Sequence, residues 1–194
     1  MQTMTGEFIL DRMVRAVNSV RDRLLRAATA LDTEDIPYAV VGSNAVSYWI
    51  SQIDESAVRN TQHVNILLRR SDLPGARIAL EAGGFVYRIA DGVVRFLDAP
   101  GLKPRDSVRI HFADETPHTA LASLPSVEAR ERGEQYWVIR LEHLVFSLLS
   151  RFKLDDRVDI RDLIDVDLID ESWLPRLPAE LAERLKSILD TPEG

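Results

Sequence analysis

The sequence predicts an α+β fold: a mixed β-sheet flanked by helices, with a C-terminal helical module. Three observations predict it. Residues 36–70 read as strand, Gly-Ser turn, helix and strand; residues 85–98 read as a hairpin; and from Leu141 onward the apolar spacing is helical throughout. The 194 residues therefore divide into an α/β core, 1–139, and a helical module, 140–194, with no internal repeat.

The elements follow in chain order. In "FILDRMVRAVNSVRDRLLRAATAL" (8–31), Leu10, Met13, Val14, Val17, Leu24, Leu25 and Ala28 recur at helical spacing between arginines, which predicts an amphipathic helix. "IPYAVVG" is a short apolar run closed by a glycine, the pattern of a buried strand. "SNAVSYWISQ" then opens a helix with Ser43 or Asn44 as its expected N-cap. "HVNILLRR" is the next strand, and "SDLPGARIALEAGG" a helix expected to be capped by Ser71 and stopped at Gly83-Gly84. In "FVYRIADGVVRFLD" the central Asp-Gly fits the type I′ turn of a two-residue hairpin. A loop, "APGLKPRD", leads to the strand "SVRIHFAD" (107–114), and "QYWVIR" predicts one more short strand. "LEHLVFSLLSRFK", "DIRDLIDVDLID" and "AELAERLKSIL" are helices, with a break at "WLPRLP".

Composition narrows the chemistry. With 45% hydrophobic and 28% charged residues the chain is that of an ordinary globular protein. It has no cysteine, which excludes disulfides, thiolate zinc sites and cysteine nucleophiles. Glu7, Asp11 and Arg12 interrupt the N-terminal run before an apolar signal segment develops, and no stretch suits a membrane span, so a cytoplasmic location is the default expectation. A net charge of −7 argues against non-specific nucleic-acid binding, although Arg59, Arg69 and Arg70 leave room for a local basic groove. There is no Gly-x-Ser-x-Gly turn, no Walker A loop and no His-Glu-x-x-His.

Three features carry the functional reading. The Gly42-Ser43 turn runs from a strand into a helix, a junction that aims backbone N–H groups and the positive helix end at one point, which suits a phosphate. About twenty residues on, His63 and Asn65 alternate along a strand and so project from one face. Arg109 and His111 alternate in the same way on a later strand. In this order the chain resembles the nucleotidyltransferase superfamily, the polymerase-beta-like fold. The resemblance is greatest to small stand-alone bacterial members, including those that act as toxins in toxin–antitoxin pairs. Their pattern "RxTxDhDhLhxRxxLxxAxxxLxxxGF", h being apolar, is followed by "RNTQHVNILLRRSDLPGARIALEAGGF" nearly throughout, and the likeness runs from about Ile36 to Phe112.

The departures fall at the chemistry. The resemblance implies catalytic aspartates at positions 63 and 65 and a third carboxylate near 109, where this chain has His63, Asn65 and Arg109. A nucleotide-facing lysine implied on the first tail helix aligns with Leu148. Transfer in this superfamily uses two Mg²⁺ ions about 3.5–4 Å apart, hard cations that need carboxylate oxygens. Exchanging three carboxylates for an imidazole, an amide and a guanidinium moves the site's formal charge by roughly +4. No catalytic residues and no cofactor are therefore expected, Mg²⁺ entering only if other carboxylates compensate. Asp54, Glu55, Asp114 and Glu115 are read as solvated loop acids, and the aspartate run at 155–171 as a solvated helix face without a calcium-loop pattern. His111, His118 and His143 are read as packed or exposed, and Trp49, Trp137 and Trp173 as core residues.

The leading expectation is a catalytically inactive nucleotidyltransferase-fold protein that binds a nucleotide or phosphate, or serves as a regulatory partner. Gly42, Ser43, Asn44, Arg59, Thr61 and Arg109 would form the anion site, with weakening expected as salt rises and as His63 deprotonates. Two alternatives stand beside it: an active transferase using displaced carboxylates, and a ligand-free antitoxin or structural subunit docking a toxin or antitoxin partner. For Arg109 itself the competing expectation is that it turns outward or pairs with Asp114 or Glu115.

Overall fold

The computed structural model describes residues 3–59, 61–98, 106–118 and 120–191, with side chains from Asn18 onward. The sheet is mixed and seven-stranded, in the order β3-β4-β5-β2-β1-β7-β6. Its strands are β1 (Tyr38–Val40), β2 (Val64–Leu68), β3 (Phe85–Ala90), β4 (Val93–Asp98), β5 (Ser107–Phe112), β6 (Arg130–Arg132) and β7 (Trp137–Ile139). β1 pairs antiparallel with β2 and parallel with β7, β2 pairs parallel with β5, and the remaining neighbours are antiparallel. The strands expected near 37–41, 64–69 and 107–112 thus lie in one sheet, and the Asp91-Gly92 turn, both residues at positive φ, closes the expected hairpin.

The helices are α1 (Thr3–Thr33), α2 (Ser43–Ser51), α3 (Leu73–Ala82), α4 (Leu141–Arg151), α5 (Leu154–Asp165) and α6 (Ala179–Leu189). They sort by sheet face because strand residues alternate. α1 and α3 cover one face, where Leu24, Leu31, Val40, Ile66, Phe96 and Ile110 form a buried cluster. α2, α4, α5 and α6 build the second cluster with Ala39, Leu67 and Val138 on the other face. Residues from either side of position 140 share this second core. Of the apolar stripe expected on α1, Leu24 and Ala28 are buried as read; Leu10, Met13, Val14 and Val17 lie outside the described side chains, as the expected loop at 99–105 lies outside the described residues.

Several local expectations are corrected. The N-cap of α2 is Gly42, with no side-chain cap, because the Ser43 and Asn44 side chains are engaged elsewhere. Ser71 does not cap α3; a short 3-10 turn over Arg70–Asp72 precedes it, and Pro74 in its first turn removes a backbone donor that a cap would have served. β6 has no apolar alternation and went unread; its Arg130–Arg132 ladder with β7 is held at one edge, where Arg130 and Arg132 stack on Trp137. α5 begins five residues before the expected start, at Leu154, and the expected solvated face of the aspartate run is wrong for two members. Asp156 and Asp159 are 3% and 2% exposed, because α5 turns them toward α4 and α2.

Candidate functional site

The site forms where β1 hands over to α2. Gly42 sits at φ 62°, ψ −151°, a conformation essentially confined to glycine. The turn lets Ala45 and Val46 N–H bond back to the Gly42 carbonyl, while the first N–H groups of α2 point past the end of the helix. A Cβ on Gly42 would sit 3.4 Å from the Asn65 side-chain nitrogen, so the turn lies directly against the middle of β2.

Asn44 fastens the turn. It donates to Thr61 Oγ1 at 2.9 Å, and its Oδ1 accepts from the Asn65 backbone N–H at 3.3 Å. Position 65 thereby keeps its place as a neutral hydrogen-bonding relay: Asn65 Oδ1 accepts from His111 Nε2 at 3.0 Å. Since an amide oxygen can only accept, His111 carries its proton on Nε2. Burial pushes the His111 imidazole down to about 4, and Arg151, Arg109 and Lys153 push the same way.

Arg109 faces the site and meets neither Asp114 nor Glu115; Glu115 is held by Arg70. Its Nη2 lies 2.9 Å from His63 Nε2. A guanidinium can only donate, so His63 here is a neutral acceptor. Arg109 is the register partner of Asn65 on one side and of Arg95 on the other. Desolvation first, and then the Arg95 charge, lower the Arg109 pKa. The Nε atoms of both Arg95 and Arg109 are buried with no hydrogen-bond partner among the described residues.

The other wall is α5. Ser43 Oγ donates to Asp159 Oδ2 at 2.8 Å, and Arg59 bridges Asp159 at 3.1 Å and Asp162 at 3.0 Å. Burial raises the Asp159 carboxyl to about 6 against the opposing pull of Ser43 and Arg59. Asp156 pairs with Arg151 and accepts the Lys153 N–H at 3.0 Å. Of the residues the sequence nominated, Gly42, Asn44, Thr61 and Asn65 thus join in one network, His63 joins Arg109, and Ser43 joins Arg59 through Asp159. Leu148, aligned with a family lysine, is buried in the core. Arg95, Asp156 and Asp159 were missed. Of these only Arg95 left a signal, since the two-residue turn fixes the β3–β4 register and the alternation of β4.

Magnesium does not fit the positions the resemblance implies. They present an imidazole lone pair already taken by a cation, an amide, and the guanidinium itself. Among the described residues no group of three or more His, Cys, Asp or Glu side chains converges for a metal ion. The groove between α1 and α3, lined by Arg26, Thr29, Ala82 and Gly83 among others, shares no residue with this cluster.

The chain matches no family model, and no curated protein is similar to it in sequence. Among solved structures, the antibiotic-resistance factor ANT(2'')-Ia matches at 11% identity and a TM-score of 0.46, over 89% of this chain and 83% of that one.

Proposed function

We propose that this chain is a nucleotidyltransferase-like scaffold whose cleft binds a nucleotide or another phosphate-bearing ligand without a divalent metal, and that it does not transfer nucleotides. One observation carries the reading: Arg95 and Arg109 stand side by side on β4 and β5, Arg109 opposite the Asn65 that packs against Gly42, with Nε donors that no described residue satisfies. Two guanidiniums in that position attract phosphate oxygens and can grip them bidentately. The start of α2 adds backbone N–H groups of the kind that hold phosphates. Carboxylates at 63, 65 and 109 would repel the same ligand unless metal ions neutralised them.

Calorimetry with ATP in EDTA tests the binding. The expected dissociation constant is micromolar to millimolar, about −8 to −4 kcal/mol, weakening with salt. Arg109→Ala should lose at least tenfold. Absence of heat in the wild type, or unchanged affinity in the variant, removes the proposal.

Inactivity is tested with α-labelled ribonucleoside triphosphates and Mg²⁺ or Mn²⁺, where no transfer is expected. Turnover abolished by a chelator would instead favour an active enzyme with displaced carboxylates. Restoring aspartates at 63 and 65 alone should fail to recruit Mg²⁺, because Arg109 would pair with the new carboxylate at position 63. Adding Arg109→Asp to His63→Asp and Asn65→Asp should yield measurable divalent-metal binding. A further role as a regulatory partner, including a toxin or antitoxin contact, would use the same liganded scaffold and is read out by co-purification.

A further inference from the structure

The cationic character of the sheet does not stop at Arg109. Arg88 on β3 is the register partner of Arg95, which is the register partner of Arg109, which is the register partner of Asn65. Register partners share a face, so three guanidiniums stand in a row across three adjacent strands, ending at the amide beside Gly42. At the usual strand spacing the row covers about 10 Å.

Its neighbours on that face are Val86 and Ala90, Val93 and Leu97, and Ser107 and His111, with no carboxylate among them. α1 and α3 pack on the opposite face. Arg88, at the sheet edge, is exposed and donates to its neighbour's carbonyl, Tyr87 O, at 2.8 Å. Arg95 and Arg109 are half-buried. The row is therefore open at the edge strand and closed at the Gly42 turn.

Like charges directly opposite one another destabilise a sheet, and a buried guanidinium nitrogen that no described residue satisfies adds to the cost. A fold that carries both on adjacent strands has a use for the charge. We infer that the Arg88–Arg95–Arg109 row seats a linear chain of three or more phosphates, entering over β3 and ending at the Gly42-Ser43 turn. This rests on the anion-binding reading above and extends it from a single phosphate to a chain. A nucleic-acid strand fits less well: apart from His111, whose ring is held against Asn65, the flanking side chains are small or aliphatic and offer no aromatic platform on which bases stack. The net charge of −7 also opposes a long polyanion beyond the row.

The test is calorimetry in EDTA at fixed ionic strength with orthophosphate, tripolyphosphate, ATP and a short single-stranded oligonucleotide. Wild type should bind tripolyphosphate at least tenfold tighter than orthophosphate. Arg88→Gln should remove most of that gain while leaving orthophosphate affinity unchanged. Arg77→Gln, on α3 and the far face, should change neither. Arg95→Leu should melt higher than wild type without ligand and show no melting shift with tripolyphosphate. Equal affinity for ATP and tripolyphosphate assigns a free chain, and tighter ATP assigns the tail of a nucleotide; either outcome requires the row. A chain-length gain that survives Arg88→Gln overturns the row but leaves the phosphate site standing. Failure of every anion to bind overturns both. An oligonucleotide binding tighter than tripolyphosphate overturns the assignment of the ligand.

Discussion

Acid titration should separate His111→Gln from the wild type by roughly 3 kcal/mol of unfolding free energy between pH 7 and pH 4. The folded imidazole, pushed down to about 4, stays neutral where the unfolded one, near 6.5, takes a proton. Its contribution is therefore present above pH 6.5 and lost as pH falls toward 4. Glutamine keeps a donor for Asn65 Oδ1 and does not titrate, so the variant should gain on the wild type as acid is added. Asp159 works in the opposite sense. Its carboxyl, raised to about 6, protonates in the folded state before the unfolded one at 3.8, so its contribution is present at low pH and lost as pH rises through 6. Asp159→Asn should accordingly fall behind the wild type on acidification, again by roughly 3 kcal/mol. In the wild type the two slopes oppose each other. Parallel pH profiles for all three proteins, measured by urea denaturation, would refute this account of both groups.

Gly42→Ala should cost about 2–3 kcal/mol, because φ 62° with ψ −151° is strained for any residue with a Cβ. The added methyl meets Asn65 at 3.4 Å, so the backbone rather than space sets the cost. For a chain of this size that corresponds to a fall of about 4–12 °C in Tm. The relaxed turn would also swing the first N–H groups of α2 away from Arg109, and ATP affinity in EDTA should drop with stability. A variant that melts with the wild type would show the turn to be unstrained.

Legibility followed the range of the interactions. The hairpin was readable because Asp91-Gly92 sets its own turn type, β2 because its apolar run has the length of a strand, and β5 because apolar and polar residues alternate along it. That positions 63, 65 and 109 come together was readable from the alternation of the two strands. The pairing of Arg95 with Arg109 was not, since the connection between β4 and β5 is too long to fix a register. Nor was the burial of Asp156 and Asp159. α5 turns them inward only because α2 and α4 stand there to receive them, and an aspartate on a helix gives no sign of the neighbour that will cover it. The caps failed for a related reason. Ser43 and Asn44 have the chemistry of N-caps, but tertiary partners outcompete the local bond.

The position of β1, between β2 and the distant β7, has a consequence for the order in which the ribosome delivers the site. The turn after β1 and the strands carrying Arg88, Arg95 and Arg109 emerge first, and all of them can assemble on α1 and α3. Asp159 follows Arg109 by 50 residues, on the order of five seconds at typical translation rates. During that interval the nascent cleft carries its cations without the carboxylate that later faces them. The far side of β1 meanwhile stays an open edge until Val138 pairs with Val40. A polyanion present during synthesis would meet the cleft at its most cationic and could hold the half-built sheet together while the last helices arrive.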